Sequence, residues 1–216
     1  MLSDATPAPP PRLVLMLKAP RLGTVKTRLA AVLGPEQATW IYRALVERQL
    51  AAVPTEWAVE VFYAPADAEV EMRAWLGPGP HLVAQAEGDL GERLEAAVAD
   101  ALARSPGGVL VVGGDCPGLD ATILREAARA LETHDVVLGP AGDGGYYLIG
   151  LRSARPELFR GIAWSTERVL AQTVAKAEAD ACSVALQQKL DDVDTVEDWR
   201  RCVASFPDLA RADGGD

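Results

Sequence analysis

The segment RLVLMLKAPRLGTVKTRL, residues 12–29, predicts the fold class of this 216-residue chain. Its first part, residues 12–17, is a short apolar run, which is typical of a strand buried on both faces of a sheet. A loop with Pro20 and Gly23 follows, and helical spacing of apolar residues resumes at Lys26. A strand that leads through a loop into a helix is the repeating unit of α/β proteins.

The same alternation continues along the chain. Further strands are predicted at 57–63, 81–85, 109–112, 135–138, 146–149 and 183–186, with helices between most of them. We therefore predict an α/β fold with a largely parallel sheet and helices on both faces. A single domain is expected at residues 12–206, between a flexible Pro-rich tail at 1–11 and a flexible tail at 207–216.

Composition and charge exclude several classes of protein. With 21 Lys or Arg, 31 Asp or Glu and a formal charge of −10, the chain is not expected to bind nucleic acid or an anionic membrane surface. No apolar run approaches the roughly 20 residues that span a bilayer, and the N-terminus lacks a signal-peptide pattern. Three cysteines without a CxxC spacing argue against a disulfide framework or a zinc site, so a cytoplasmic location is predicted.

The basic residues are concentrated near the N-terminus. Between Ala5 and Pro35 the chain has no acid and five bases, which are Arg12, Lys18, Arg21, Lys26 and Arg28. The loop after the predicted strand at 12–17 lies at the edge of the sheet where ligands bind. Gly23, within this loop, lets the backbone approach a ligand closely. Because ammonium and guanidinium groups suit phosphate, the loop is predicted to bind an anion. An ordinary solvated basic turn is the alternative.

Acidic residues follow two later predicted strands. Asp115 lies in GGDCP, directly after the strand at 109–112, and Asp143 lies in the glycine-rich segment GPAGDGGYY. A carboxylate at this edge of the sheet suits a hard cation such as Mg²⁺ or Mn²⁺. The alternatives are a helix N-cap for Asp115 and a tight hairpin turn of the Asp-Gly type for Asp143 and Gly144.

A third acidic segment lies near the C-terminus. Residues 191–198 contain five acids, which repel one another unless they are solvated or joined by a cation. Helix capping accounts for Thr195 and Asp198 but not for Asp192 or Asp194, one of which is predicted to complete a metal site. Two weaker candidates are Arg93, in GDLGER, and Trp164; each segment also reads as the start of a helix.

Taken in order, these motifs resemble a known family. KAPRLGTVKTRL, GDLGERL, GGDCPGLD, GPAGDGGYYLIGL, IAWST and LDDVDTVEDW, from Leu13 to about Trp199, closely resemble the radical-SAM/selenodomain-associated transferase family 1. That family belongs to the nucleotide-diphospho-sugar transferase superfamily, and some members are labelled glycosyltransferases of arsenosugar biosynthesis. The chain is more distantly similar to 2-phospholactate and molybdenum-cofactor guanylyltransferases. It departs from the family pattern in GGDCP, where GTDCP is usual.

The resemblance implies a GT-A fold, which is a Rossmann-like α/β/α sandwich with a mostly parallel mixed sheet. It also implies Mg²⁺ or Mn²⁺ as cofactor and a role for individual residues. The metal ligands would be Asp115 and Asp194, with Asp192 beside them, and the catalytic residues Lys26, Asp115 and Asp143. The nucleotide would be bound by Lys18, Gly23, Lys26, Arg28, Gly88, Arg93 and Gly114, and the acceptor side would be formed by Gly144, Gly145 and Trp164.

Three functions are therefore considered. The first is metal-dependent glycosyl transfer from a nucleotide-diphospho-sugar to a small acceptor, in which charge stabilisation and positioning supply most of the rate. The second is nucleotidyl transfer from a nucleoside triphosphate to a small phosphorylated acceptor, with release of pyrophosphate. The third is a non-catalytic nucleotide sensor. Fold analogy alone does not decide between them, and the oligomeric state is open.

Overall fold

A computed structural model of the chain describes residues 9–210. Within them, strands and helices alternate as predicted. The strands are β1 (Arg12–Lys18), β2 (Val59–Ala64), β3 (His81–Ala84), β4 (Val109–Val112), β5 (Val136–Pro140), β6 (Tyr146–Leu151) and β7 (Val184–Leu186). The helices are α1 (Thr27–Leu33), α2 (Pro35–Ala51), α3 (Glu69–Leu76), α4 (Leu90–Leu102), α5 (Ala121–Thr133), α6 (Val169–Ala179), α7 (Val196–Ser205) and α8 (Pro207–Ala210).

The strands form one seven-stranded sheet in the order β3-β2-β1-β4-β6-β5-β7, with β3 and β7 at its edges. All neighbouring pairs are parallel except those that β6 makes with β4 and β5. The predicted α/β fold with a mostly parallel mixed sheet is therefore confirmed.

Side chains of β1 alternate between the two faces of the sheet. Leu13, Leu15 and Leu17 belong to one buried cluster, which also contains residues of α2, α3 and α5. Val14 belongs to a second cluster, on the other face, with residues of α4 and α6. A strand covered on both faces is apolar at nearly every position, which explains the continuous run at the start of the chain.

A third buried cluster joins α1 and α2 to α7 and α8. It contains Leu29, Trp199 and Leu209, and it brings the beginning of α7 close to the loop before α1. The C-terminal tail was predicted to begin at 207, but residues 207–210 form α8 and bury Leu209. A helix this short has too few positions for a periodic apolar pattern. Of the predicted N-terminal tail, residues 9–11 are described, and Pro11 is buried directly before β1; residues 1–8 and 211–216 lie outside the described residues.

Three connections meet at the carboxyl edge of the parallel strands. The loops after β1 and β4 begin there, and so does the turn at 141–145, because β6 runs antiparallel to β5. The segment before α7 is attached to the same edge, since the Leu190 N–H donates to Pro140 O and the Val193 N–H donates to Asp115 O. No helix of residues 9–210 is long and apolar enough to cross a membrane.

Candidate active site

Asp115 and Asp194 are placed by neighbouring elements. Asp115 follows β4, and its carbonyl accepts the Val193 N–H at 3.0 Å. Asp194 directly precedes α7, whose N-cap is Thr195. Thr195 and Asp198 form a capping box, and the Asp198 carboxylate also accepts the Asp194 N–H at 3.1 Å. Thr195 and Asp198 therefore have the capping role that their spacing predicts, which leaves the Asp194 side chain free for another partner.

That partner is Lys26. The Lys26 Nζ lies 2.8 Å from Asp115 Oδ1 and 3.0 Å from Asp194 Oδ1, and the Lys26 side chain is only 5% exposed. Arg28 lies farther away, with Nη1 3.8 Å from Asp194 Oδ2. Lys26 is the N-cap of α1 and has left-handed backbone angles, with φ 46° and ψ 48°. The basic loop and two of the predicted metal ligands therefore meet at one buried ammonium group.

Burial and the neighbouring charges change the pKa values of Lys26 and Asp192. Burial lowers the pKa of Lys26, but the carboxylates of Asp115 and Asp194 raise it more, so the ammonium remains charged. Burial, followed by the charges of Asp115 and Asp143, raises the pKa of Asp192 to about 7. Burial and the neighbouring acids therefore disfavour a negative charge on Asp192, and Lys26 offsets this effect only in part.

Two cavities meet at these residues. The first, of about 340 Å³, is lined by the basic side chains of Lys18, Lys26 and Arg28. The second, of about 390 Å³, is lined by Asp143, Asp192, Gly145, Tyr146, Tyr147 and Trp164. Asp115 and Asp194 line both cavities. A ligand that spans this boundary would have bases on one side and acids on the other.

The turn between β5 and β6 brings Asp143 to the second cavity. The Gly145 N–H donates to Asp143 Oδ1 at 2.8 Å, and the carbonyl of Gly144 accepts the Leu170 N–H of α6. Gly144 has φ 89°, and a Cβ atom there would lie 2.6 Å from Glu167 Cα. The hairpin turn and the placement of Asp143 in the cavity are therefore both present, and Gly144 shapes the turn.

Known proteins of similar sequence can now be compared with this geometry. The model of a family described as uncharacterized proteins conserved in bacteria, DUF2064, matches residues 47–166, which is more than half of the chain. The chain belongs to the DUF2064 family. A comparison with curated proteins gives no match.

Solved structures resemble this DUF2064 chain over nearly its whole length. A protein from Desulfovibrio desulfuricans G20, provisionally named a nucleotide-diphospho-sugar transferase, is 32% identical, with a TM-score of 0.83 over 95% of this chain and 99% of that one. Rv0371c from Mycobacterium tuberculosis H37Rv, in complex with manganese, is 20% identical, with a TM-score of 0.56 over 90% and 99%. A cytidylyltransferase from Leptospira borgpetersenii serovar Hardjo-bovis (strain JB197) is 16% identical, with a TM-score of 0.56 over 93% and 92%.

Some predicted residues of the DUF2064 chain do not line the two cavities that share Asp115 and Asp194. Gly23 is an exposed turn residue with φ 74°. The carbonyl of Gly88 accepts a hydrogen bond from Arg93 Nε at 2.9 Å, just before the capping box at the start of α4. The segment GDLGER therefore forms the start of a helix, which was the alternative to a ligand-binding loop. Arg93 lines a third cavity, of about 410 Å³, which adjoins the first at Lys18 and Thr24.

Gly114, a predicted nucleotide-binding residue, lines the first cavity, and its backbone packs closely against α2. A Cβ atom at this position would lie 2.7 Å from Val46 Cγ2. Tyr42 of α2 lines the same cavity and was not predicted, because its spacing is that of an ordinary core residue. Its hydroxyl accepts the Lys18 N–H and donates to Lys18 O, which fixes the start of the basic loop.

Cys116 does not take part as a nucleophile in this DUF2064 site. The side chain is buried, and burial followed by the charge of Asp192 raises the pKa of its thiol to about 12. A thiol with such a pKa remains protonated near neutrality, and the thiolate is the reactive form. Cys116 is a buried residue of the turn after β4.

The acidic side chains of the site suit a divalent cation in their chemistry. In the part of the chain that the structure describes, no three His, Cys, Asp or Glu side chains form a ready-made metal-binding group. Asp115 and Asp194 nevertheless already hold one cation, the Lys26 ammonium, between them. Carboxylate oxygens are the donors that Mg²⁺ and Mn²⁺ prefer, so the chemistry of these side chains fits such a cation.

Proposed function

We propose that this DUF2064 chain is a divalent-metal-dependent transferase that uses a nucleotide-activated donor and a small acceptor. The observation that carries the proposal is the junction at Lys26, where a cavity lined by bases meets a cavity lined by acids. Phosphate groups suit the first cavity and a divalent cation suits the carboxylates at the boundary. The transferase names of structural relatives support the same class of reaction.

Each side of the site has a role in this proposal. Lys18, Lys26 and Arg28 bind the phosphates of the donor, and Asp115 and Asp194 hold Mg²⁺ or Mn²⁺. The metal, when bound, neutralises charge that develops on the leaving phosphate. Because the segments that carry Asp115 and Asp194 are held by backbone hydrogen bonds and a capping box, the two carboxylates need little rearrangement to hold the metal.

The acceptor side is the second cavity. Asp143 and Asp192 accept hydrogen bonds from the attacking group and orient it toward the donor. Tyr146 and Trp164 form an edge-to-face pair with ring centroids 6.4 Å apart, and they provide an apolar wall for a sugar or acceptor. The cavity also contains Gly145, which leaves room beside Asp143.

Glycosyl transfer is the reaction that we favour within this class. An acceptor hydroxyl attacks the sugar carbon, the bond from that carbon to the diphosphate breaks, and a nucleoside diphosphate leaves. The aromatic wall of the second cavity and the provisional name of the D. desulfuricans relative support it. So does the resemblance to the radical-SAM-associated transferases.

Nucleotidyl transfer is the second candidate, and a specific observation favours it. Three cationic side chains line the first cavity, and a triphosphate needs more positive charge than a diphosphate sugar. In this reaction an oxygen of the acceptor attacks the α-phosphorus and pyrophosphate leaves. The name of the L. borgpetersenii relative points to the same chemistry.

Nucleotide binding and product analysis test the proposal. Isothermal titration of nucleoside di- and triphosphates with Mn²⁺ is expected to show binding that Asp115→Asn and Asp194→Asn weaken at least tenfold. Glu197→Gln, an exposed change on α7, is the matched control and is expected to bind as the wild type does. Absence of binding, or equal binding by Asp115→Asn, would contradict the metal-dependent site.

The products then separate the reactions. Release of a nucleoside diphosphate from a nucleotide sugar identifies glycosyl transfer, and release of pyrophosphate from a triphosphate identifies nucleotidyl transfer. Tight nucleotide binding without turnover of any acceptor would indicate a sensor instead.

A further inference from the structure

Lys26 contacts the two carboxylates that the proposed function assigns to the metal. Its Nζ is within 3.0 Å of both Asp115 Oδ1 and Asp194 Oδ1, and its side chain is almost completely buried. A divalent cation placed on the same pair would be repelled by the ammonium, because like charges at contact distance repel strongly away from bulk water. The metal and Lys26 therefore compete for the same two carboxylates.

The backbone at Lys26 holds the side chain in this position. Its φ of 46° lies in the left-handed region, which residues other than glycine adopt only where the surrounding structure enforces it. The carbonyl of Lys26 accepts the Ala30 N–H at 2.8 Å, so the residue is fixed as the first point of α1. The strain and the two ion pairs together aim the ammonium at Asp115 and Asp194.

Lys26 also lines the cavity assigned to the donor's phosphates. A phosphate bound beside Lys18 and Arg28 would therefore offer Lys26 a second anionic partner. Once Lys26 turns to the phosphate, the charges of Asp115 and Asp194 are no longer neutralised. A divalent cation is then favoured at the two carboxylates, both by them and by the phosphate itself.

We propose that Lys26 acts as the resident counterion of the site and releases Asp115 and Asp194 to a divalent metal only when a phosphate is present to receive its ammonium. This inference rests on the proposed function. Metal and phosphate therefore bind cooperatively, and each binds weakly without the other. Because such coupling is reciprocal, the metal increases the affinity for phosphate by the same factor.

Electron paramagnetic resonance of Mn²⁺ tests this coupling without any turnover and without knowledge of the base or the acceptor. The probes are Mn²⁺ alone and Mn²⁺ with inorganic pyrophosphate, corrected for the complex that they form in solution. For the wild type, pyrophosphate is expected to increase the Mn²⁺ affinity at least tenfold. In Lys26→Met, Mn²⁺ alone is expected to bind at least tenfold more tightly than to the wild type, and the effect of pyrophosphate is expected to become small.

Two further variants make the result specific. Lys26→Gly also removes the ammonium, and glycine adopts the left-handed backbone without strain. It is expected to bind Mn²⁺ alone more tightly than the wild type, and it serves as the test if Lys26→Met folds poorly. Lys189→Met removes a positive charge from an exposed position near the acidic segment and is expected to bind Mn²⁺ as the wild type does. Tighter binding in Lys189→Met equal to that in Lys26→Met would reduce the effect to net charge and overturn the inference.

The remaining outcomes separate this inference from the proposed function. Equal Mn²⁺ affinity in the wild type and in both Lys26 variants, with or without pyrophosphate, overturns the counterion role while the metal site stands. No Mn²⁺ binding by any of these proteins under any condition overturns the metal-dependent function, and the inference with it.

Discussion

Asp192 is the carboxylate with the least favourable surroundings in the site. Burial and the charges of Asp115 and Asp143 raise its pKa to about 7, and Lys26 compensates only in part. Active sites often carry such perturbed groups because the arrangement that binds a ligand does not favour the ligand-free protein. At the residue level, the free protein therefore loses stability at a place where a ligand can restore it.

We expect Asp192→Asn to stabilise the metal-free protein at alkaline pH. A carboxyl group whose pKa is raised from 3.8 to about 7 by folding lowers the free energy of unfolding as the pH rises from about 4 through 7. An uncharged residue of the same size removes this loss, with a gain of about 1–3 kcal/mol at pH 8 and little change near pH 4.

Urea denaturation of the metal-free protein between pH 4 and pH 8 measures this gain. Asp191→Asn, at the exposed neighbouring position, is expected to change the free energy of unfolding by less than about 0.5 kcal/mol at every pH. A pH dependence that is the same in the wild type and in Asp192→Asn would disprove the assignment.

The hairpin of β5 and β6 is the element that completes the acidic side of the site. Its strands are antiparallel, so their turn returns to the edge where β1 and β4 end. The turn is attached to α6 through the bond between Gly144 O and the Leu170 N–H. One local element therefore fixes the position of Asp143 relative to the second cavity.

Gly144→Ala is expected to destabilise the protein by about 1–3 kcal/mol, because φ is positive and the new Cβ would contact the backbone of Glu167. The change also displaces Asp143. At temperatures where the variant remains folded, nucleotide turnover is therefore expected to fall by more than the loss of folded protein explains. Gly79→Ala, outside the site, is the control, since a Cβ there would meet nothing within 4 Å. Chemical denaturation together with turnover measures both effects, and equal losses in the two variants would contradict the prediction.

At the scale of the whole molecule, a buried ionic network lies at the amino-terminal ends of β1 and β2, whereas the site lies at the carboxyl ends of the parallel strands. Glu60 of β2 is fully buried, and Arg12 of β1 lies 2.9 Å from its carboxylate. Arg104, which follows α4, donates to both carboxylate oxygens at 2.9 Å and 2.8 Å. Such a network joins two strands and a helix end.

Glu60→Ala removes the buried carboxylate and leaves Arg12 and Arg104, whose side chains are 22% and 36% exposed, so it is expected to lower the free energy of unfolding by about 1–3 kcal/mol through the lost hydrogen bonds. The affinity for Mn²⁺ and pyrophosphate is expected to be unchanged in the folded variant, since the network and the site lie at opposite edges. Thermal denaturation and titration measure the two quantities, with the exposed change Glu126→Ala as control. A loss of ligand affinity at a temperature where Glu60→Ala is folded would show that the two edges are coupled.

Local patterns predict most of the fold. The strand expected at 109–112 has the bounds of β4, and the helical spacing that resumes at Lys26 leads into α1, which begins at Thr27. The apolar run of β6 does not show by itself that this strand is reversed, because the direction of a strand depends on its connection. The Asp-Gly turn at 143–144 is the local sign of this hairpin.

The site is only partly readable in the same way. Position at strand ends predicts that Asp115 and the basic loop share one edge of the sheet. Lys26 and Asp194, however, are 168 positions apart, and their contact depends on the packing of α1 against α7. The left-handed backbone of Lys26 is likewise a tertiary effect, since lysine does not favour it.

The short strands at the two edges of the sheet affect how the protein behaves in concentrated solution. β3 has four residues and β7 has three, whereas β1, between two neighbours, has seven. An edge strand exposes unpaired N–H and C=O groups that another chain can extend into a continuous sheet, and a short edge offers few of them. The longest strand is kept inside and the shortest is placed outside, which protects the folded protein against edge-to-edge aggregation.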